Sequence, residues 1–362
     1  MTKPGRAPLH GALAWRRVLA ALSLVGPLSL ALLLHSGATR WRPLALLLLA
    51  EPLAIALGLY LWLLALTRGR WVCALGLLFG GTTALGLLHL PPAPRGALAP
   101  DQAWVEMAGA CLTQAEVPTS MVRVLTWHAG GASPSAGDID RIAATEPDLA
   151  VLTGLPDGEA LDRLVTLRAG ELLTLGTRGD LTGVYVRGIF LDCRGVTAFW
   201  PWAAAGDPEP SAERARLALA LPRLEGGGVL PLVAFQVPSA QADLASGAWP
   251  ASLEEGVAAL ASIAGLGAGE TIAAGHLASV AGMAPVAAAL EGAGLRDAGG
   301  APTWPARLGP LPFLPQHRLD RVLAGADWRT VGTSSVRMDN SHHALLVELE
   351  PRRQIIAPLG GE

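Results

Sequence analysis

The hydrophobic pattern of the chain changes once, near residue 91. Before that point three stretches are almost unbroken in apolar residues: VLAALSLVGPLSLALLLH at 18–35, PLALLLLAEPLAIALGLYLWLLAL at 43–66 and WVCALGLLFGGTTALGLLHL at 71–90. A helix needs about 20 such residues to cross a bilayer core of about 30 Å, so each stretch predicts a transmembrane helix. The intervening SGATRWR and TRGR are short and basic, as loops between adjacent spans are. Lys3, Arg6, Arg16, Arg17, Arg68 and Arg70 fall on one side of this arrangement, and Arg40, Arg42 and Arg95 on the other. The side richer in Lys and Arg is cytoplasmic, which places everything after the third span outside the cytoplasm. Reading 18–35 as a cleaved signal peptide ending near Ser36-Gly37-Ala38 leaves two spans and the same orientation. Glu51-Pro52 interrupts the second span. No partner cation is visible in the other spans, so this reads as an acid facing the bundle or protonated beside a tolerated kink, not as a functional charge.

Beyond the Pro/Gly/Ala linker PPAPRGALAP the texture becomes that of an aqueous domain. The expected division is a membrane region at 1–90, a linker and lead-in helix at 91–117, a folded domain at 118–352 and a tail at 353–362. Within the domain, MVRVLTW, DLAVLTGL, GELLTLG, GVYVRGIFLDC, ETIAAGHLAS, RLDRVLAG and HALLVELE read as strands, and ARLALALPRL with GVLPLVAFQV as an antiparallel pair. GDIDRIAATEP, residues 157–169, SLEEGVAALASIAGL and MAPVAAALEGAGL carry helical spacing, the last ending at a glycine. Strands without regular helical crossovers predict a mixed sheet, not a doubly wound parallel one.

Composition narrows the function. The chain is 51% hydrophobic and 16% charged, which excludes wholesale disorder. Its net charge of −3, with no long basic run, gives no support to nucleic-acid binding. Cys73, Cys111 and Cys193 share no metal-type spacing and exclude both a Cys-rich zinc module and a disulfide-dense scaffold. Gly226-Gly227-Gly228 lies between two strands and reads as a hairpin turn, since no helix follows to make a phosphate cradle. Phe199-Trp200-Pro201-Trp202 reads as loop packing, and Ser341 has no base–nucleophile order around it.

Four pieces in order carry a resemblance: VRVLTWHAG; EPDLAVLTGL; AAGHLAS followed by a helix and GLRDA; and TWP, RLDRVL and SHHALLVEL. In this order and spacing the stretch from Val122 to Leu349 resembles the endonuclease/exonuclease/phosphatase superfamily, and most of all its membrane-anchored bacterial members. The resemblance implies an α+β, four-layer α/β sandwich of the DNase I-like type, two mixed β-sheets flanked by helices. It also implies a divalent cation, usually Mg²⁺, held at one edge of the sandwich by Asn and carboxylate oxygens.

At those positions the sequence departs from the family. His128 stands at the family's asparagine, Gly154 at its glutamate, His276 and Ala278 at the aspartate and asparagine of "GDFN", and His342 at the aspartate of "SDH". Gln236 replaces a mid-domain histidine. Two family positions survive, His343 and Asp320, which the resemblance pairs as a phosphate-contacting histidine and its orienting carboxylate. Mg²⁺ is therefore not expected. Two alternatives stand: no metal, the histidines being drift from Asn and Asp, or a transition-metal site of His128, His276 and His342, zinc first, because imidazole suits such ions. His10, His35, His89 and His317 receive no role.

Two readings follow. One is a membrane-anchored pseudoenzyme that binds an extracytoplasmic partner or a phosphoester ligand. The other is a phosphodiesterase- or nuclease-class phosphoesterase running on a repurposed histidine site.

Overall fold

A strand turns alternate side chains to opposite faces, and here that alternation decides which residues meet. The computed structural model describes residues 102–116, 118–177, 180–191, 216–237, 257–258, 260–263, 265–277, 290–304, 318–340 and 342–352. These all belong to one compact unit. The expected spans at 18–35, 43–66 and 71–90, the tail, Ala278, Ser341 and the 199–202 aromatics lie outside the described residues. Among the described residues no helix is long and apolar enough to cross a membrane.

The lead-in helix is α1 (Gln102–Leu112). Then come β1 (Val122–His128), α2 (Ala136–Ala144), β2 (Leu149–Leu155), α3 (Glu159–Leu167), β3 (Glu171–Thr177), β4 (Asp180–Val186) and β5 (Gly188–Phe190). They are followed by β6 (Arg216–Ala220), β7 (Pro222–Leu224), β8 (Leu232–Gln236), β9 (Ile272–His276), β10 (Arg296–Asp297), β11 (Asp320–Ala324), β12 (Trp328–Val336) and β13 (Ala344–Pro351). A six-stranded sheet runs β12-β13-β1-β2-β4-β3, a five-stranded sheet runs β10-β11-β9-β8-β6, and β5 pairs with β7. The parallel pairs are β1–β2 and β8–β9, so both larger sheets are mixed. The expected antiparallel partnership of the 216–224 and 228–237 segments is made by β6 and β8.

One buried cluster draws Val122, Val124, Leu149, Val151 and Val184 from the first sheet and Ala234, Ile272, Ala274 and Val322 from the second. It is the interior of a sandwich. The other cluster sets Leu125, Trp127, Leu152 and Tyr185, from the outer face of the first sheet, against Ile139, Ile142, Leu161 and Leu164 of α2 and α3. Fully burying each such aliphatic side chain is worth about 1.5–3 kcal/mol, so the register that sorts the two sets is strongly enforced. Helical residues at 257–258, 260–263 and 290–292 also bury Leu260, Ile263 and Leu290. The 290–292 turn ends in a Schellman pair, with the Leu295 amide bonding Leu290 O and the Gly294 amide bonding Glu291 O. Gly294 takes φ +77°, which explains the glycine the sequence places there. The architecture is a mixed, multi-sheet α+β fold.

Candidate metal centre

The inward parity of the sandwich carries on to the strand ends. Val122 and Val124 face inward on β1, so His128 does too; the same step of two takes Val151 to Thr153, Ala234 to Gln236, Ala274 to His276 and Val322 back to Asp320. Pairing then sets these ends side by side. His128 is in register with Thr153, Gln236 with His276, and His276 with Asp320.

His342 arrives by a different route. It precedes β13, after a segment fixed by Asn340. The Asn340 side-chain amide donates to His128 O at 3.1 Å and Ala129 O at 3.0 Å. Its Oδ1 accepts from the His342 amide at 3.0 Å and from Trp127 Nε1 at 3.3 Å. A second anchor is the start of α2. There Ser135 and Asp138 form a capping box, Asp138 also accepts from the Asp339 amide at 2.8 Å, and Arg141 pairs with both Asp138 and Asp339.

The result is an imidazole–carboxylate cluster. Asp320 is fully buried, with Oδ1 3.2 Å from His276 Nδ1 and Oδ2 2.8 Å from His342 Nδ1. Burial alone would raise the Asp320 carboxyl, but the charges and hydrogen bonds of His342 and His276 hold it far below the usual carboxylate range. An ionised carboxylate only accepts, so both Nδ1 atoms carry the proton they donate to it. Thr303 Oγ1 accepts the amides of Leu319 and Asp320, both at 3.1 Å, which fixes this end of β11. His128 stacks on His276 with ring centroids 4.0 Å apart, meets His342 edge-on at 4.9 Å, and bonds Thr153 Oγ1 at 3.0 Å. Burial, and then the neighbouring His276 and His342, push the His128 imidazole well below its ordinary value. Burial lowers His276 as well, against an opposing pull from Asp320.

Of the expected site residues, His128, His276, His342 and Asp320 come together. The donor atoms that converge, all within 4.8 Å of one another, belong to His276, Asp320 and His342. A carboxylate thus joins two of the three expected histidines, while His128 lies face to face on one of them. The expected Asp320–His343 pair is absent, because His276 and His342 take the two Asp320 oxygens. His343 instead accepts the Met338 amide at Nδ1 over 3.4 Å, and its own amide donates to Thr303 O.

The remaining positions are adapted to the cluster. Gly154 takes φ +65°, and a Cβ there would stand 2.6 Å from His128 Cε1 and 2.9 Å from Nδ1. The glycine is thus the space in which the His128 ring lies. Gln236 is tied up in the protein: its amide donates to Asp180 at 2.7 Å, and its carbonyl accepts from Thr182 Oγ1 at 2.9 Å and the Gly154 amide at 3.3 Å. Sequence reasoning did not identify Thr303, Thr153 and Asn340 as supports. Asn340, two residues before His342, was the one available signal. An octahedral Mg²⁺ site needs oxygen donors. Imidazole nitrogens and one carboxylate already bonded to them do not fit that ion.

No family model matches the chain, and no curated protein matches it. Among solved structures it is similar to an endonuclease/exonuclease/phosphatase from Beutenbergia cavernae, at 18% identity and a TM-score of 0.48 over 64% of this chain and 72% of that one. It is also similar to a family member from Bacteroides vulgatus, at 12% identity and a TM-score of 0.45 over 64% of this chain and 99% of that one. D. rerio TDP2 in complex with a single-strand DNA product is similar at 16% identity and a TM-score of 0.43, over 64% and 99%.

Proposed function

We propose that this chain is a membrane-anchored protein whose DNase I-like domain lies outside the cytoplasm and has lost Mg²⁺-dependent phosphoester hydrolysis, serving as a binding domain for an extracytoplasmic partner or a phosphoester ligand. One observation carries the reading. The strand ends that would offer oxygen ligands hold residues bonded to one another instead: His276 and His342 to Asp320, His128 to Thr153, and Gln236 to Asp180. A cation without ligands cannot be kept at a scissile phosphate. The basic asymmetry of the first hundred residues supports the orientation.

The test is hydrolysis of bis(p-nitrophenyl) phosphate and a short oligonucleotide by the full chain in detergent with Mg²⁺. No turnover above background is expected. Mg²⁺-dependent turnover that disappears in His342→Ala would overturn the reading. The convergence of His276, Asp320 and His342 favours one alternative, a phosphoesterase on a transition metal. That reading requires turnover restored by Zn²⁺ and not by Mg²⁺ in the same assay.

A further inference from the structure

We propose that His276, His342 and Asp320 form a structural transition-metal site, of the zinc class, that clamps the two sheets together at the edge of the sandwich. The inference concerns binding of the ion and stands whether or not the domain hydrolyses a phosphoester.

The first argument is placement. His276 ends β9 and Asp320 begins β11, both in the five-stranded sheet, whereas His342 leads into β13 of the six-stranded sheet. An ion shared by the three joins the sheets where the pairing of strands runs out. The second argument is distance. One donor atom from each of His276, Asp320 and His342 lies within 4.8 Å of the others, and ligands about 2.0–2.2 Å from one ion lie roughly 3–3.5 Å apart.

The third argument is unsatisfied capacity. His276 Nε2 is buried and makes no hydrogen bond. A buried polar atom without a partner costs about 1–3 kcal/mol unless something compensates it. Among the described residues, no lysine or arginine pairs with Asp320; its partners are the two imidazoles. A divalent ion would pair with this buried carboxylate, and either ring nitrogen of an imidazole can ligate it. Donors of this kind select zinc-like ions over Mg²⁺.

Burial decides between a structural and a catalytic role. His276 and His342 are 1% and 5% exposed and Asp320 is 0% exposed, with the His128 ring stacked over His276. Structural zinc usually has four protein ligands and catalytic zinc three with one open position; the three donors here leave one position, which their burial closes to substrate.

The full chain in detergent, stripped with a chelator, is titrated with Co²⁺ and, separately, with Zn²⁺. The expected result is one ion per chain, a visible Co²⁺ spectrum of nitrogen–oxygen ligation, and a thermal midpoint raised by several degrees. A tenfold excess of Mg²⁺ should not displace the ion. His276→Gln and His342→Gln should each weaken binding at least tenfold, and His343→Gln should leave it unchanged. X-ray absorption on the zinc-loaded wild-type chain needs no variant and should show imidazole and oxygen neighbours without sulfur. A wild-type chain that takes up no Co²⁺ overturns the proposal. So does uptake that is undiminished in both glutamine variants, or a zinc ion with sulfur neighbours.

Discussion

Gly154 and His128 depend on one another. A side chain cannot enter position 154 while the imidazole occupies its Cβ space, and φ +65° there already disfavours any side chain. Gly154→Ala is therefore expected to destabilise the domain by about 2–4 kcal/mol, from backbone strain and overpacking together. In a His128→Ala background the same change should cost about 1–2 kcal/mol less, since only the backbone strain remains. Equal costs in both backgrounds, measured by chemical unfolding of the solubilised chain, would disprove the pairing. Residue-scale legibility was uneven. The family resemblance singled out His128, His276, His342 and Asp320, and the structure brings them together. It paired Asp320 with His343, whereas His276 and His342 take the two Asp320 oxygens. Asn340 sets His342 there by bonding its amide and the end of β1.

The same residues set a pH dependence. His128 and His276 are held below their ordinary values, so below about pH 6.5 the unfolded chain binds protons that the folded chain resists. Stability should fall as pH drops through that value, by up to about 1.4 kcal/mol per pH unit for each such histidine. Asp320 and Asp138 are lowered carboxylates. Their contribution is present above about pH 4 and is lost only as pH falls through and below that range. Thermal midpoints should thus decline in two steps. The upper step should flatten in His128→Gln/His276→Gln. A midpoint unchanged between pH 7 and pH 5.5 would contradict these assignments.

At the scale of elements, strands rich in apolar residues were legible and the polar edge strand was not. β1, β2, β9, β11 and β13 announce themselves by apolar runs, and their burial is nearly complete. β12 escaped the reading. It is the edge strand WRTVGTSSV, exposed over most of its length, and its polar residues resemble a loop until they pair with β13. β10 is only two residues long, and β7 starts with a proline. The segment between β12 and β13 is the element on which the cluster depends, because Asn340 and Asp339 tie it to β1 and α2. Asn340→Ala removes a hub of side-chain hydrogen bonds and should cost about 2–4 kcal/mol, at roughly 1 kcal/mol per bond. Hydrogen exchange should then speed up at the His342 and His343 amides before it does in β1. Uniform protection in the variant would show that Asn340 does not hold this segment.

At the scale of the whole molecule, the proposed arrangement is a membrane anchor followed by a domain outside the cytoplasm. The orientation rests on where Lys and Arg fall around the three apolar stretches. A phosphatase fused after Glu362 should be active and a reporter that matures only in the cytoplasm silent. The reverse pattern would place the domain inside. The mixed α+β class was legible at this scale because strands without regular helical crossovers predict a mixed sheet. The chemistry was less legible, because a list of replaced ligands does not show how the replacements bond to one another.

On the proposed function, the chain holds no site of oxygen ligands for a hard divalent ion. Mn²⁺, whose free ion gives a strong paramagnetic resonance signal, reports on such a site directly. With the full chain in detergent at a concentration near that of the ion, the account predicts that Mg²⁺ will not change the amount of free Mn²⁺. One Mn²⁺ bound per chain and released by Mg²⁺ would contradict it.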